Sequence, residues 1–572
     1  MGSCFGKVKG EIVKNKKRDI IQLLLGLAIV VLINFIASFA FERFDLTSEN
    51  RYSLTDATKQ MLQNLDDVVF VRVYLEGNLP AGFKRLRDET KEMLDEFRAY
   101  SKNNVEYQFI NPSESPDKKT RNEVYQRLYE QGLMPTDLEV KTEDGSSNKI
   151  IWPGAIFSFK GKESTMQLLK SQMGSHPEVM LNNSIQQLEY EISSSIQKLS
   201  GEVGGKIAFI EGHSELNEIE VADITKSLKE TYVVERVKID GLLNVLDGYK
   251  AIVIAKPDSA FDEKDKFIID QFIMKGGKAL WLLDAVHAEM DSLQRKNLTM
   301  GIANPVNLDD MLFKYGVRVN PNLIMDLRSL PIPIVTGMIG NQPKQEFFPW
   351  YFFPLIMSEE SHPIVKNLEA IKTQFVSSID TVGGKGIRKT ILLKSSNYTK
   401  LVNAPTRISF NILRKPPDEK QYSHPPQVIA VLLEGEFNSV FTNRIPPQIS
   451  DSKGIGFREK SKPTKQIVIS DGDIIRNNVN RTTNQYYPLE YDRYTDKFYG
   501  NKDFLLNCIN YLCDDSGLIA ARAKEFKLRM LDLQKVKKER PRWQMLNTVA
   551  PILLILLFGL VQYYLRKRKF EK

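Results

Sequence analysis

The sequence predicts a membrane-anchored α/β protein, and three observations lead there. Short apolar runs alternate with amphipathic stretches over Gly205–Asp284, the pattern of a mainly parallel sheet covered on both faces. A shorter strand-and-helix alternation precedes it, between Ser53 and Phe159. Both ends of the chain carry an apolar stretch long enough to cross a bilayer.

The first of these, Ile20–Phe41, has 22 residues and no charge, enough for a hydrocarbon core of about 30 Å. Lys14, Lys16, Lys17 and Arg18 precede it, while Glu42, Arg43 and Asp45 follow. The excess of positive charge before it places residues 1–19 in the cytoplasm. A signal peptide is the alternative, with Ala37-Ser38-Phe39-Ala40 as a weak cleavage site, but its apolar core would be shorter. The second span, 546–565, carries Pro551 near its start and ends in Tyr563, Tyr564 and the basic run Arg566-Lys-Arg-Lys569. Two spans with an inward N-terminus return the tail, 566–572, to the cytoplasm and leave everything from about 42 to 545 outside it.

Between the anchors, residues 45–175 read as a small α/β domain. Ser53 is the expected N-cap of a first helix, with Asp56 three positions on. Strands are expected at Val68–Leu75 and Val105–Ile110, and helices at Phe83–Tyr100 and 120–131. A hairpin of 137–141 with 149–159 turns around Glu143–Ser147. This β-α-β-α-β-β order is similar to a thioredoxin-like domain, without the cysteines a redox role requires. A connecting helix over 180–200 follows, whose seam of Ile185, Leu188, Ile192, Ile196 and Leu199 suits packing on a domain.

The larger α/β domain spans 201–515. Strands are expected at Lys206–Ile210, Val233–Ile239, Ala251–Ala255 and Ala279–Leu283, with a helix over 262–275 that stops at Gly276-Gly277. The chain then reads as Pro-rich and irregular from 303 to 363. Apolar runs resume at Thr390–Leu393, Val428–Leu433 and Gln466–Ile469, with insertions and loops over 411–464 and a helix at Asp503–Leu512. A charged amphipathic juxtamembrane helix is expected over 516–545, leading into the second span.

The formal charge of +8 is carried by the ends: residues 1–19 sum to +4 and 516–572 to +10, leaving −6 for the body. A nucleic-acid binder would concentrate positive charge on the folded body; here it flanks the apolar spans. With three cysteines (Cys4, Cys508, Cys513) and five scattered histidines, no zinc spacing, redox pair or disulfide framework is present. Gly201–Lys206 and Gly383–Thr390 both miss the G-x-x-x-x-G-K-[ST] spacing of a nucleotide-binding loop. No serine or cysteine occupies a strand-to-helix elbow such as Leu283–Val286 or Leu433–Glu436. Catalytic, cofactor-binding and metal-binding residues are therefore assigned to none. The nearest candidate is the turn Glu211, His213 and Glu215, which reads either as metal ligands or an acid/base cluster, or more simply as a solvated cap. Phe347–Phe353 has six aromatics in seven positions and fits neither a helix nor a strand period. It either covers the domain's own core or faces a partner or the membrane.

Several ordered segments carry a family resemblance. They are Arg51-Tyr-Ser-Leu-Thr55, Val73-Tyr-Leu-Glu-Gly77-Asn-Leu-Pro80, Phe209-Ile-Glu-Gly-His213-Ser-Glu215, Phe348-Pro-Trp-Tyr-Phe-Phe-Pro-Leu355, Phe375-Val-Ser-Ser-Ile-Asp380, Gly500-Asn-Lys-Asp-Phe-Leu-Leu506 and Arg540-Pro-Arg-Trp-Gln544. With these the chain resembles the GldG family of gliding-motility-associated ABC transporter auxiliary, substrate-binding-like proteins. More broadly it resembles the extracytoplasmic auxiliary subunits of ABC-2-type transporters. The resemblance implies a glutamine-amidotransferase-like fold for the larger domain, without its catalytic cysteine. It also implies a membrane permease subunit and a cytoplasmic ABC ATPase as partners, in support of gliding and secretion. The expected protein is non-enzymatic, without cofactor or nucleic acid, and sits in the bacterial inner membrane with a periplasmic body; a homo-oligomer is left open. A solute-binding module and a membrane-anchored hydrolase using the Glu211–Glu215 turn are the alternatives.

Overall fold

Seven strands form the central sheet, in the spatial order Ile387–Lys394, Val428–Gly435, Thr464–Ile469, Lys278–Leu282, Tyr249–Ala255, Lys206–Glu211 and Val233–Lys238. The last five run parallel, and the first two add antiparallel at one edge. This is a computed structural model, which describes residues 21–32, 53–142, 145–170, 176–201, 204–340, 342–358, 360–384, 386–444, 456–480, 482–523 and 533–570. The chain divides into two units, Met1–Lys524 and Glu525–Lys572.

The five parallel strands appear within two residues of their expected limits, and the antiparallel edge strand Ile387–Lys394 starts three residues before the expected Thr390. Ala251–Ala255, Ala279–Leu282 and Ile467–Ile469 are all buried, as strands covered on both faces require. One face packs on the Ala222–Leu228 and Asn501–Cys513 helices through Ile224, Leu228, Phe504 and Ile509. The other packs on Glu263–Met274 through Phe267, Ile269 and Ile273. That helix starts on Asp262, whose side chain accepts the Asp265 N–H, and stops before Gly276 at φ +103°, a conformation glycine adopts without strain.

Ahead of this body a four-stranded sheet orders Val105–Phe109, Val69–Val73, Gly154–Phe159 and Lys162–Gln167. Its first helix, Asp56–Gln63, is capped by Thr55 rather than Ser53. The expected hairpin arm over 149–159 is broken at Trp152-Pro153. Gly145–Ile151 pairs with Thr136–Thr142, whereas Gly154–Phe159 joins the four-stranded sheet. The connecting helix, Pro177–Ser200, lays Ile185, Leu188, Ile192, Ile196 and Leu199 into the core of this sheet.

Two expectations are corrected. The stretch from 303 to 363 is not irregular: it holds a helix, Asp309–Tyr315, and a long hairpin of Ser329–Ile339 with Gln342–Ile356. Pro331, Pro333, Pro343 and Pro349 are tolerated because a third strand pairs with this ribbon only at Leu355 and Ile356, so elsewhere an outward position needs no ladder donor. Phe347–Phe353 lies in this hairpin. Trp350, Tyr351, Phe352 and Phe353 are buried in an aromatic cluster with Phe375 and Tyr422, while Phe347 is exposed. Second, residues 516–545 do not form one amphipathic helix in the described part. Leu518–Ala523 is a 3-10 turn packed on Tyr190, and the next described residues, from Leu533, are helical.

The described part of the second unit is the helix Leu533–Phe570, of which Lys538–Arg568 is apolar enough to cross a membrane. Near the N-terminus Ile21–Leu32 forms a shorter apolar helix; the rest of the expected first span lies outside the described residues.

Candidate functional site

In open parallel sheets ligands sit beyond the carboxyl ends of the strands, at the point where successive crossovers leave in opposite directions. Here that point lies between Lys206–Glu211 and Tyr249–Ala255, since the chain goes from the former to Val233–Lys238 on one side and then to Tyr249–Ala255 on the other. The turn Glu211–Leu216 fills the crevice itself. The His213 carbonyl accepts the N–H groups of Asp258 and Ser259, each at 3.0 Å, and the Leu216 N–H donates to the Ala255 carbonyl at 3.1 Å.

The His213 ring is buried against Phe261, with ring centroids 3.6 Å apart and planes 16° from parallel. Nδ1 lies 3.2 Å from Glu215 Oε1 and Nε2 lies 3.0 Å from Asp265 Oδ2. Burial pushes the imidazole pKa down, but the hydrogen bonds and charges of Glu215 and Asp265 outweigh it and hold it above the usual value. With a carboxylate at each nitrogen, the doubly protonated ring satisfies both and leaves no lone pair for a metal. Glu211 turns away to pair with Arg236, which also donates to the Leu216 carbonyl at 2.8 Å. Of the three residues singled out in the sequence, Glu215 meets His213 and Glu211 stands apart with Arg236.

A second cluster closes the next stretch of the same edge. Lys256 directly follows the end of one central strand, Asp284 lies two residues past the Leu282 end of the next, and Asp471 and Asp473 lie two and four past the Ile469 end of a third. The Lys256 ammonium lies 2.8 Å from Asp284 Oδ2 and also pairs with Asp473. Asp284 Oδ1 accepts the Gly472 N–H, while Asp471 accepts the N–H groups of Gln374 at 2.9 Å and Asp473 at 2.8 Å. Burial raises the pKa of Asp284 and lifts Asp471 well above the carboxylate range. For Asp473 burial is outweighed by Lys256 and Arg476, which hold it low, and Lys256 is raised by its two carboxylates despite burial. Carboxylate oxygens of Asp284, Asp471 and Asp473 lie within 4.8 Å of one another, a donor set that suits a cation. The Lys256 ammonium supplies that positive charge. Lys256 sits at φ +54°, a strained conformation for a side-chain-bearing residue, and Gly472 leaves it room: a Cβ there would come within 2.6 Å of the Lys256 side chain.

Beyond Asp284 the edge opens into a cleft of about 710 Å³. Its walls include Val306, Leu312, Val319 and Val440, with Arg318 and Arg444 among its charged lining. Its volume is that of a small-molecule site. In the sequence Asp284 stands just past an expected strand, and nothing local joins it to Lys256 or Asp473. The readable signal was a charged residue placed just past three separate apolar runs.

A family model described as an ABC-type uncharacterized transport system matches residues 205–508, more than half of the chain and nearly all of the central body. The chain belongs to this ABC transport-system family. It is thus an auxiliary component of an ABC transporter, associated with transporter subunits, and its C-terminal apolar helix together with the weaker N-terminal one fits membrane anchoring. A second model, for a domain of unknown function, matches residues 48–158. An uncharacterized protein of Borreliella burgdorferi is 21% identical over 444 residues, covering 75% of this chain and 80% of that one. Among solved structures, the mmIFT52 N-terminal domain matches at 14% identity and a TM-score of 0.30, over 54% of this chain and 96% of that one. A likeness that low bears on neither fold nor function.

Proposed function

We propose that the protein is a non-enzymatic, two-span auxiliary subunit of an ABC-2-type transporter, with its α/β body outside the cytoplasm and a permease and a cytoplasmic ATPase as partners. The observation that carries this reading is the family match over 205–508 on a sheet whose switch point and the stretch beside it are filled by the chain's own ion-paired side chains. Where an α/β enzyme would hold substrate, His213 and Lys256 are each bound to two carboxylates of the same chain. In this role the body is a scaffold that makes contact with partner or cargo. Conformational work done by the ATPase reaches it through the membrane-spanning helices. The resemblance to the GldG family extends the proposal to gliding motility and secretion.

The test is co-purification. Full-length protein isolated from its native membrane in mild detergent is expected to bring down a polytopic permease and a nucleotide-binding ATPase in fixed ratio. Recovery of the chain alone, under conditions that keep other ABC complexes intact, would overturn the reading.

A further inference from the structure

After the Asn501–Cys513 helix the chain is tied down almost residue by residue. Asp514 accepts the N–H groups of Ser516 and Gly517 at 2.8 Å and of Ile519 at 2.9 Å. Asp515 pairs with Lys250 at 2.7 Å. The 3-10 turn Leu518–Ala523 then places Ile519 and Ala521 against Tyr190 of the connecting helix, in an apolar cluster that among the described residues has those three buried side chains and the partly buried Tyr511. Arg522 is buried to 6% exposure. Its guanidinium donates to Asn507 Oδ1 at 3.2 Å and to the Lys366 carbonyl at 3.1 Å, and lies 5.1 Å above the Tyr190 ring.

Three features make this attachment weaker than the body it rests on. The apolar cluster is minimal, whereas each face of the central sheet is covered by a continuous core. The Nε of Arg522 is buried without an acceptor, which leaves a desolvation cost uncompensated. Two cavities flank the contact, of about 620 and 210 Å³, and Tyr190, Ser194 and Asn510 line both. Few apolar contacts and open space on two sides are the marks of a segment that opens by itself, at a free energy below that of global unfolding.

We propose that Ser516–Ala523 is a latch. It opens and closes on Tyr190 while the α/β body stays folded, with Arg522 as its pin. Closed, it holds Ser516–Ala523 against the connecting helix; open, it frees that stretch. Force entering along the chain is then transmitted to the body in one state and not in the other. This goes beyond the transporter reading and stands or falls apart from it, because its test needs no partner subunit.

Hydrogen exchange by mass spectrometry on the full-length protein in mild detergent provides that test. The hydrogen-bonded amides of Gly517, Ile519 and Ala520 are expected to exchange at least about a hundredfold faster than those of Ala251–Ala255. Ile519→Ala and Arg522→Ala should each speed latch exchange about tenfold more, with the central-strand amides unchanged. Equal exchange in the latch and the central strands of the unaltered protein would overturn the proposal. So would variants that accelerate both regions alike, or neither. If Arg522→Ala does not accumulate, the unaltered protein and Ile519→Ala decide the matter.

Discussion

Lys256 shows how a single side chain sets the character of the sheet edge. Its ammonium joins Asp284 to Asp473, and Asp473 lies 217 positions from Lys256 in sequence, so no local pattern announces the contact. Removing one member of a buried ion cluster strands the others, at a cost of about 3–5 kcal/mol. Lys256→Met is therefore expected to lower the urea midpoint of the body markedly. Lys256→Met combined with Asp284→Asn should recover part of that loss, because fewer unpaired charges remain. His213 makes a pH-dependent contribution whose sign follows from its environment. Its folded pKa is raised above the ordinary 6.5, so its stabilisation is complete below that value and is lost as pH rises through the higher folded value. Comparing the melting temperature of His213→Gln with that of the unaltered protein from pH 5 to pH 9 checks this: the gap should be widest at acid pH and narrow as pH rises. The turn itself was legible as polar residues at a strand end. What the sequence did not reveal was that Glu211 leaves the group for Arg236 while Asp265, 52 positions away, enters it.

At the scale of elements, legibility followed burial. Strands buried on both faces read as unbroken apolar runs and were located to within a residue or two. The Ser329–Ile356 hairpin escaped because its prolines argue against a strand and its aromatics follow no period of two. Both signals mislead for one reason: the ribbon is paired with itself along its outer half and packed on other elements at its base, so different rules apply at its two ends. That division predicts an asymmetry. Trp350→Ala, at a fully buried ring, should cost about 3–5 kcal/mol. Phe347→Ser, three residues away and 54% exposed, should change stability by less than about 0.5 kcal/mol. Chemical denaturation of the two variants side by side measures the contrast. The 3-10 turn at Leu518–Ala523 was missed for a related reason: its apolar residues suit a helical face, but Asp514 gathers the preceding N–H groups into a tight turn.

For the whole molecule, composition indicated the division of labour better than any motif. Positive charge gathers at the chain ends and the body between them is net negative, which separates anchoring from the folded scaffold. The apolar helix Lys538–Arg568 predicts that the protein resists extraction from membranes at alkaline pH. Leu554→Arg with Leu557→Arg, at roughly 2.5–3.5 kcal/mol per charge near a span's centre, should weaken that retention, as fractionation would show. The order of the central strands has a further consequence, for biogenesis. Trp281 hydrogen-bonds Gln466 at 3.0 Å across 185 positions of sequence, because the Thr464–Ile469 strand inserts beside Lys278–Leu282 only after a long excursion. Until that late strand has left the ribosome, at about 5–20 residues per second, the nascent sheet exposes an apolar edge with its pairing groups unmet. Synthesis therefore includes an interval of many seconds in which this chain depends on shielding by chaperone or translocation machinery, and slowing translation between residues 282 and 464 should lower the yield of folded protein.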